Sequence, residues 1–222
     1  MLRSRMGTAL GLVLVSAFGL LGQACGGYKH PDPADKVATA DAHEIFELCV
    51  QCHGAQAQGR REFNAPSIAG LPRWYIEAQL KKFRSGARGT HFNDHSGMQM
   101  RPMALSFHNE GDLTTIAEFV SKMPRPAAAH ELSGGDATRG KGYFAPCTAC
   151  HGADGAGNEQ LKAPPLRHAS DWYLLAQLKK FREGVRGGNP LDLEGATMRP
   201  MAATLVDEQA MKDVVAHITT LQ

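Results

Sequence analysis

Cys49–Arg60 reads CVQCHGAQAQGR. Two cysteines stand three apart, and a histidine follows the second directly. That pattern serves several chemistries: a redox disulfide, half of a metal site, or a covalent anchor for a larger group. The stretch returns as CTACHGADGAGN over Cys147–Asn158. From position 49 to position 147 is a step of 98 residues, and the same step carries Cys52 to Cys150 and His53 to His151.

The step holds downstream. WYIEAQLKKFRSGARG from Trp74 maps onto WYLLAQLKKFREGVRG from Trp172, and MRPMA from Met100 maps onto MRPMA from Met198. No insertion separates the copies, so the chain contains an internal duplication. Its seam falls in the Pro- and Gly-rich stretch from Met123 to Gly140. The expected organisation is a first domain over 41–126 and a second over 127–222.

The N-terminus is different in kind. Arg3 and Arg5 precede an apolar run from Ala9 to Leu21, then small residues up to Cys25. This is the order of a secretory signal over 1–24, and the run is too short to span a bilayer. Signal peptidase and a lipoprotein peptidase would both cut before Cys25, and the second would leave Cys25 lipidated as a membrane tether. Leu21 lies one place too far from Cys25 for a good lipobox. Residues 25–40 read as a flexible tether. Export would place the cysteines in an oxidising, periplasmic setting.

The formal net charge of the 222 residues is +2, and removing Arg3 and Arg5 from the 24 basic residues leaves 22 against 22 acidic ones. Such a balance gives no pull toward nucleic acid. Aromatic residues make up only 7%. An all-aliphatic core would therefore be modest in each half, and a buried cofactor would help to fill it.

The expected fold class is all-α, with about three helices and connecting loops per half. Asp41 is placed to cap a helix with Ile45, Phe46 and Cys49 on one face. Ile76, Leu80 and Phe83 share a face of a second helix that Gly86 would end. NEGDLTTIAEFVSKM and DEQAMKDVVAHITTL each open on an acidic capping pattern and carry an apolar stripe.

With no βαβ context, a thioredoxin-like use of Cys-x-x-Cys is disfavoured. A zinc site would need more ligands than each half offers, and a disulfide across so short a loop stabilises little. Covalent haem attachment remains, with Cys49, Cys52, Cys147 and Cys150 as thioether anchors and His53 and His151 as iron ligands. The cofactor expected is thus two covalently bound haem c groups.

The duplication also filters the second axial ligand, because a repeated site should use a residue present in both copies. His91, His95, His108 and His217 face Asn189, Leu193, Val206 and Phe119, and fail. Met100 with Met198 and Met103 with Met201 pass, while Met98 faces Ala196 and fails. His/Met ligation is therefore expected, with two candidate methionine pairs.

In CVQCHG and CTACHG, the APSI and APPL segments, the two QLKKFR blocks and the two MRPMA blocks, the chain resembles a duplicated class I cytochrome c, most of all the two-haem cytochrome c4 family. The resemblance runs from Ala42 to the C-terminus. In that family the ligand methionine lies about nine residues before the last helix, which implies Met100 and Met198 rather than Met103 and Met201. It also implies that Pro66 and Pro164 offer their carbonyls to the ligand imidazoles. It implies further that Phe119 packs on Phe46, while His217 stands in the matching place opposite Phe144. That departure is expected to loosen the interface or shift the second haem's potential.

The implied function is single-electron transfer between respiratory partners, such as a quinol-oxidising complex, a terminal oxidase or a denitrification enzyme. The implied arrangement is two facing halves with their haem propionates close. The alternatives are a dihaem peroxidase-like enzyme and a cytochrome subunit of a larger respiratory complex. Lys81, Lys82, Arg84 and Arg88, with Lys179, Lys180, Arg182 and Arg186, are expected to be a solvated helix face, a ring that steers acidic partners, or partners of the propionates.

Overall fold

A computed structural model describes residues 41–107, 109–127 and 130–221. The signal segment, the tether and Cys25 lie outside the described residues. The first half contains α1 (Ala42–His53), α2 (Arg73–Ser85), α3 (His95–Leu105) and α4 (Glu110–Ser121). The second contains α5 (Ala137–Phe144), α6 (Thr148–His151), α7 (Asp171–Arg182), α8 (Leu193–Ala203) and α9 (Glu208–Ile218). Among the described residues there is no strand, only isolated bridges at Arg60–Ala65 and Asn158–Ala163, one at the same place in each half. No helix among them is long and apolar enough to cross a membrane.

Local chemistry accounts for the helix ends. Asp41 accepts from the His43 amide at 2.8 Å to start α1. Gly86, at φ 81°, ends α2 in a conformation that costs a side chain energy. Asn109 accepts from the Asp112 amide to start α4, and Asp207 from Ala210 to start α9. In the second half the α1 counterpart is broken. Pro146 stands where the first half has Leu48, and a proline has no amide to donate to the preceding turn. The chain there passes from α5 through a 3₁₀ turn at Ala145–Cys147 into α6.

The expectation of about three helices per half needs correction. α3 and α8 are additional helices, and they carry the MRPM blocks. Neither has an apolar stripe, and both contain a proline (Pro102, Pro200), so periodicity does not reveal them. Their starts are held by Asp94 and Asp192, both fully buried, which accept from the Gly97 and Gly195 amides.

Each half has its own core. Ile45, Phe46, Leu80, Phe83, Leu113, Ile116 and Val120 form the first. Phe144, Leu174, Leu175, Met211, Val214, Val215 and Ile218 form the second. The first and last helices of each half pack together through the rings that the resemblance singled out. Phe46 and Phe119 lie 5.4 Å apart between centroids, and Phe144 and His217 also 5.4 Å.

The α5–α9 crossing has two further supports. A Cβ on Gly140 would stand 1.9 Å from the Asp213 carbonyl oxygen, so only glycine permits this approach. The Asp213 carboxylate is 1% exposed and accepts from Arg139 Nε, Arg139 Nη2, the Asp136 amide and Gln209 Nε2. The Arg139 hydrogen bond leads in holding this carboxyl down at about 2, against the opposing effect of burial. The first half has Thr115 at the matching position.

Gly140→Ala is expected to cost about 1–3 kcal/mol through overpacking, seen as a lower thermal midpoint of the holoprotein. Because Asp213 has a depressed folded pKa, its clamp contributes fully above the unfolded value near 3.9 and is lost as pH falls toward about 2. Asp213→Asn should therefore lower the melting temperature at neutral pH. It should also flatten the loss of stability between pH 5 and pH 2, as acid titrations of the two proteins would show.

Candidate functional site

Cys49 and Cys52 lie one turn apart on α1, and His53 is the last residue of that helix. The His53 ring is 8% exposed, and its Nδ1 lies 2.8 Å from the Pro66 carbonyl oxygen. A carbonyl can only accept, so Nδ1 carries the proton and Nε2 keeps its lone pair. The second half repeats this geometry. His151 ends α6, is 7% exposed, and donates from Nδ1 to the Pro164 carbonyl at 2.8 Å. Burial pushes both imidazoles below the ordinary histidine pKa, with the Pro carbonyls opposing, so both are neutral near pH 7.

Two glycines let the proline segments come this close. Gly59 and Gly157 have φ of 84° and 82°. A Cβ on Gly59 would meet the Ser67 amide nitrogen at 2.4 Å, and one on Gly157 the Pro165 nitrogen at 2.5 Å. Their own amides donate to the His53 and His151 carbonyls at 2.8 Å. The glycine, the histidine and the proline thus form one local unit in each half.

No disulfide joins the four described cysteines. Burial, and then the Cys52 neighbour, push Cys49 up to about 11, and Cys147 is raised for the same reasons. Thiol–disulfide centres use lowered thiol pKa values, so this environment does not suit redox exchange. Among the described residues no three His, Cys, Asp or Glu side chains converge as a metal-binding group.

One continuous cavity of about 530 Å³ is lined by Cys49, Cys52, His53 and Met100 and by Cys147, Cys150, His151 and Met198. All eight residues expected at the site therefore face the same space, although they come from two halves. Met103 and Met201 line it as well. Met100 packs against the first core, whereas Met103 is 36% exposed. Met198 and Met201 are both half-buried. A porphyrin needs an apolar slot, thiols at its edge and an unprotonated imidazole nitrogen. The cavity offers each of these twice, so the residues present fit haem.

The basic residues on α2 and α7 and just after them divide by where they turn. Lys81 and Arg84 pair with Glu110, and Lys179 pairs with Glu208 at 2.7 Å. Arg182 donates to the Leu205 carbonyl of its own half, whereas Lys82, Lys180, Arg88 and Arg186 turn to the seam between the halves. Lys82 Nζ donates to Asp192 at 2.5 Å and Lys180 Nζ to Asp94 at 2.6 Å. Each lysine thus reaches the aspartate that starts the methionine-bearing helix of the opposite half. Arg88 and Arg186 are 7% and 6% exposed, and each stacks 4.3 Å over a phenylalanine of its own half, Phe83 and Phe181. Neither a free basic ring nor a plain solvated face describes this set. Sequence reasoning also passed over Asp94 with Asp192, Tyr75 with Tyr173 and Gln79 with Gln177. Each pair recurs at the step of 98, and that was the available signal.

The cytochrome c family model matches the chain twice, over residues 39–124 and 137–222. The thiosulfate dehydrogenase electron acceptor of Stutzerimonas stutzeri is 34% identical over 188 residues, which is 80% of this chain and 82% of that protein. The solved structure of Acidithiobacillus ferrooxidans cytochrome c4 aligns with a TM-score of 0.65 at 25% identity, covering 79% of this chain and 99% of that one. Thiosulfate dehydrogenase from Marichromatium purpuratum aligns with a TM-score of 0.61 at 28% identity, covering 78% of this chain and 36% of that one. With two helical halves, two Cys-x-x-Cys-His anchors on one cavity and two matches to the same family model, the chain belongs to the cytochrome c family as a tandem, cytochrome c4-like protein carrying two covalently bound haem c groups.

Proposed function

We propose that this protein is an exported carrier of single electrons, with His53 and Met100 as iron ligands in the first half and His151 and Met198 in the second. The observation that supports the reading is the shared cavity, which is lined by both attachment motifs, both neutral imidazoles and both repeated methionine pairs. Haem iron supplies one-electron exchange between the ferric and ferrous states.

The protein's residues set the terms of that exchange. The Pro66 and Pro164 carbonyls hold each imidazole in the tautomer that leaves Nε2 for metal and make that nitrogen more basic. Ligation by the Met100 and Met198 thioethers would favour a higher potential than a second imidazole would. An imidazole and a thioether offered to each iron would leave no open place for a substrate, which supports transfer over catalysis. The secretory pattern at the N-terminus supports work outside the cytoplasm, and Cys25 is the residue through which a membrane tether would be made.

The partners follow from this reading. A relative named as a thiosulfate dehydrogenase electron acceptor supports a dehydrogenase of reduced sulfur compounds as donor. A terminal oxidase is the proposed acceptor.

Met100→Ala and Met198→Ala are each expected to remove about half of the weak far-red sulfur-to-iron absorption. Each should also open one haem to carbon monoxide and lower its potential. Met103→Ala and Met201→Ala should leave all three unchanged, and the reverse pattern would transfer the ligand role to them. For the donor, stopped-flow absorbance should show fast reduction of both haems by thiosulfate with its dehydrogenase, and slow reduction by thiosulfate alone. Reduction by a quinol-oxidising complex, with none by the dehydrogenase, would refute the proposed donor.

A further inference from the structure

Where the linker meets the second half, three basic side chains gather that the duplication does not explain. Arg125 stands in the linker, and Arg167 and His168 follow the Pro164 segment. At the step of 98 the first half has Ala69 and Gly70 in the places of Arg167 and His168. All three basic residues line the cavity, and all three are half-buried. Arg125 is held by its Nε and Nη2 groups, which donate to the Gly70 carbonyl at 2.9 and 2.7 Å. His168 has a left-handed backbone at φ 62°, as Gly70 does at φ 64°. Glycine takes that conformation freely, whereas a side chain makes it costly. The second half thus carries an imidazole at a place where the backbone favours glycine.

The charges that act on this imidazole are of one sign. Burial first, and then Arg125 and Arg167, push His168 below the ordinary histidine pKa. Burial and Arg167 lower Arg125 as well. Asp154 accepts from Arg167 Nη1 at 3.3 Å. That pair is 39% and 63% exposed, and a pair so open to water contributes little. Among the described residues, neither Arg125 nor His168 meets a carboxylate. The haem propionates do not account for the cluster. They come with both halves, so a residue that served them should recur at the step of 98, and Arg167 and His168 do not. Convergent donors with one sign of charge, partly open to water, suit an anion taken from solution.

We propose that Arg125, Arg167 and His168 form a binding site for a small doubly charged oxyanion of the sulfate or hydrogenphosphate class. The two guanidinium groups supply fixed charge and planar donors. The imidazole supplies a third charge only when it is protonated. Anion and proton are therefore taken up together: a bound anion raises the His168 pKa, and binding strengthens as pH falls through that pKa. The charged groups that set this balance are Arg125 on the linker and Arg167 beside His168, with Asp154 offsetting Arg167 alone. The site goes beyond the electron-carrying reading, and it depends neither on which methionine binds iron nor on the donor.

The test uses the reduced holoprotein, with sulfate as the probe and chloride at matched ionic strength as the control. Followed by NMR against pH, the His168 ring should show a higher pKa in sulfate than in chloride, and its shift should saturate as sulfate is added. Sulfate strengthens burial in any protein, so the stability reading is the difference between wild type and variants. At about ten times the dissociation constant found by NMR, bound sulfate should lower the unfolding constant of the wild type by about elevenfold more than that of His168→Gly. In chloride, His168→Gly should melt no lower than the wild type, because glycine suits the backbone there. Arg167→Gln should lose most of the sulfate gain as well. An equal His168 pKa in the two salts, or a full sulfate gain in both variants, would overturn the proposal. The visible haem spectrum, unchanged in each variant, shows that the haem pockets are intact, and so separates failure of this site from failure of the electron-carrying reading.

Discussion

The contact between an imidazole Nδ1 and a proline carbonyl is the constraint on which the rest of each half depends. It requires that the chain leave α1 or α6, turn back, and place Pro66 or Pro164 against the histidine ring within 2.8 Å. The turn is feasible because Gly54 and Gly152 end the helices at φ of 82° and 80°, and because Gly59 and Gly157 have no side chain where the proline segment passes. The resulting tautomer presents a lone pair to the cavity at neutral pH, since burial keeps the ring unprotonated. The cysteines directly precede the histidine along the chain, so the haem anchors and the proposed ligand share one short piece of backbone.

The two halves are joined by a reciprocal motif. Asp94 and Asp192 each do two things: they cap the helix that carries the methionines, and they accept a lysine from the opposite half. A fully buried carboxylate is tolerated only where hydrogen bonds and an opposite charge replace water. Here the replacement comes partly from the neighbouring half, and both carboxyls stay below the ordinary aspartate pKa, their lysine partners outweighing the cost of burial. Separating the halves would leave both carboxylates without their lysine. The position of α3 relative to α2 of its own half is therefore tied to the docking of α7 and α8. The methionine-bearing helices are thus held by the same contacts that hold the seam.

Much of this was legible in the sequence because duplication acts as an internal control. The step of 98 residues isolates Cys49, Cys52 and His53 with their copies and rejects four lone histidines. What periodicity could not show was α3 and α8. Their residues, HSGMQMRPMAL and LEGATMRPMAA, have no apolar face, and the proline inside each argues against a helix. They fold as helices because a buried aspartate caps each one and the opposite lysine neutralises that aspartate, and both conditions are tertiary. The basic residues separate for a related reason. Lys82 and Lys81 are adjacent in sequence, yet one is buried at the seam and the other pairs with Glu110 at the surface. No pattern along one helix separates them, since the difference comes from the other half of the molecule.

Duplication has not kept the halves equal, and the differences cluster on the first and last helices. The second half carries the Asp213–Arg139 clamp and the Gly140 close approach, whereas the first half has Thr115 and Ala42 in those places. The first half has an unbroken α1, whereas Pro146 divides its counterpart just before Cys147. Phe119 on Phe46 is an apolar ring pair, whereas His217 on Phe144 puts a polar ring beside the helix that leads to the attachment motif. The surroundings of the first helix thus differ in polarity and rigidity while the cysteines, histidines and methionines remain the same. Potentials of haem centres respond to burial and nearby polarity as well as to the ligands themselves. Two haem sites with the same cysteines, histidines and methionines but different helix packing are thereby expected to differ in potential.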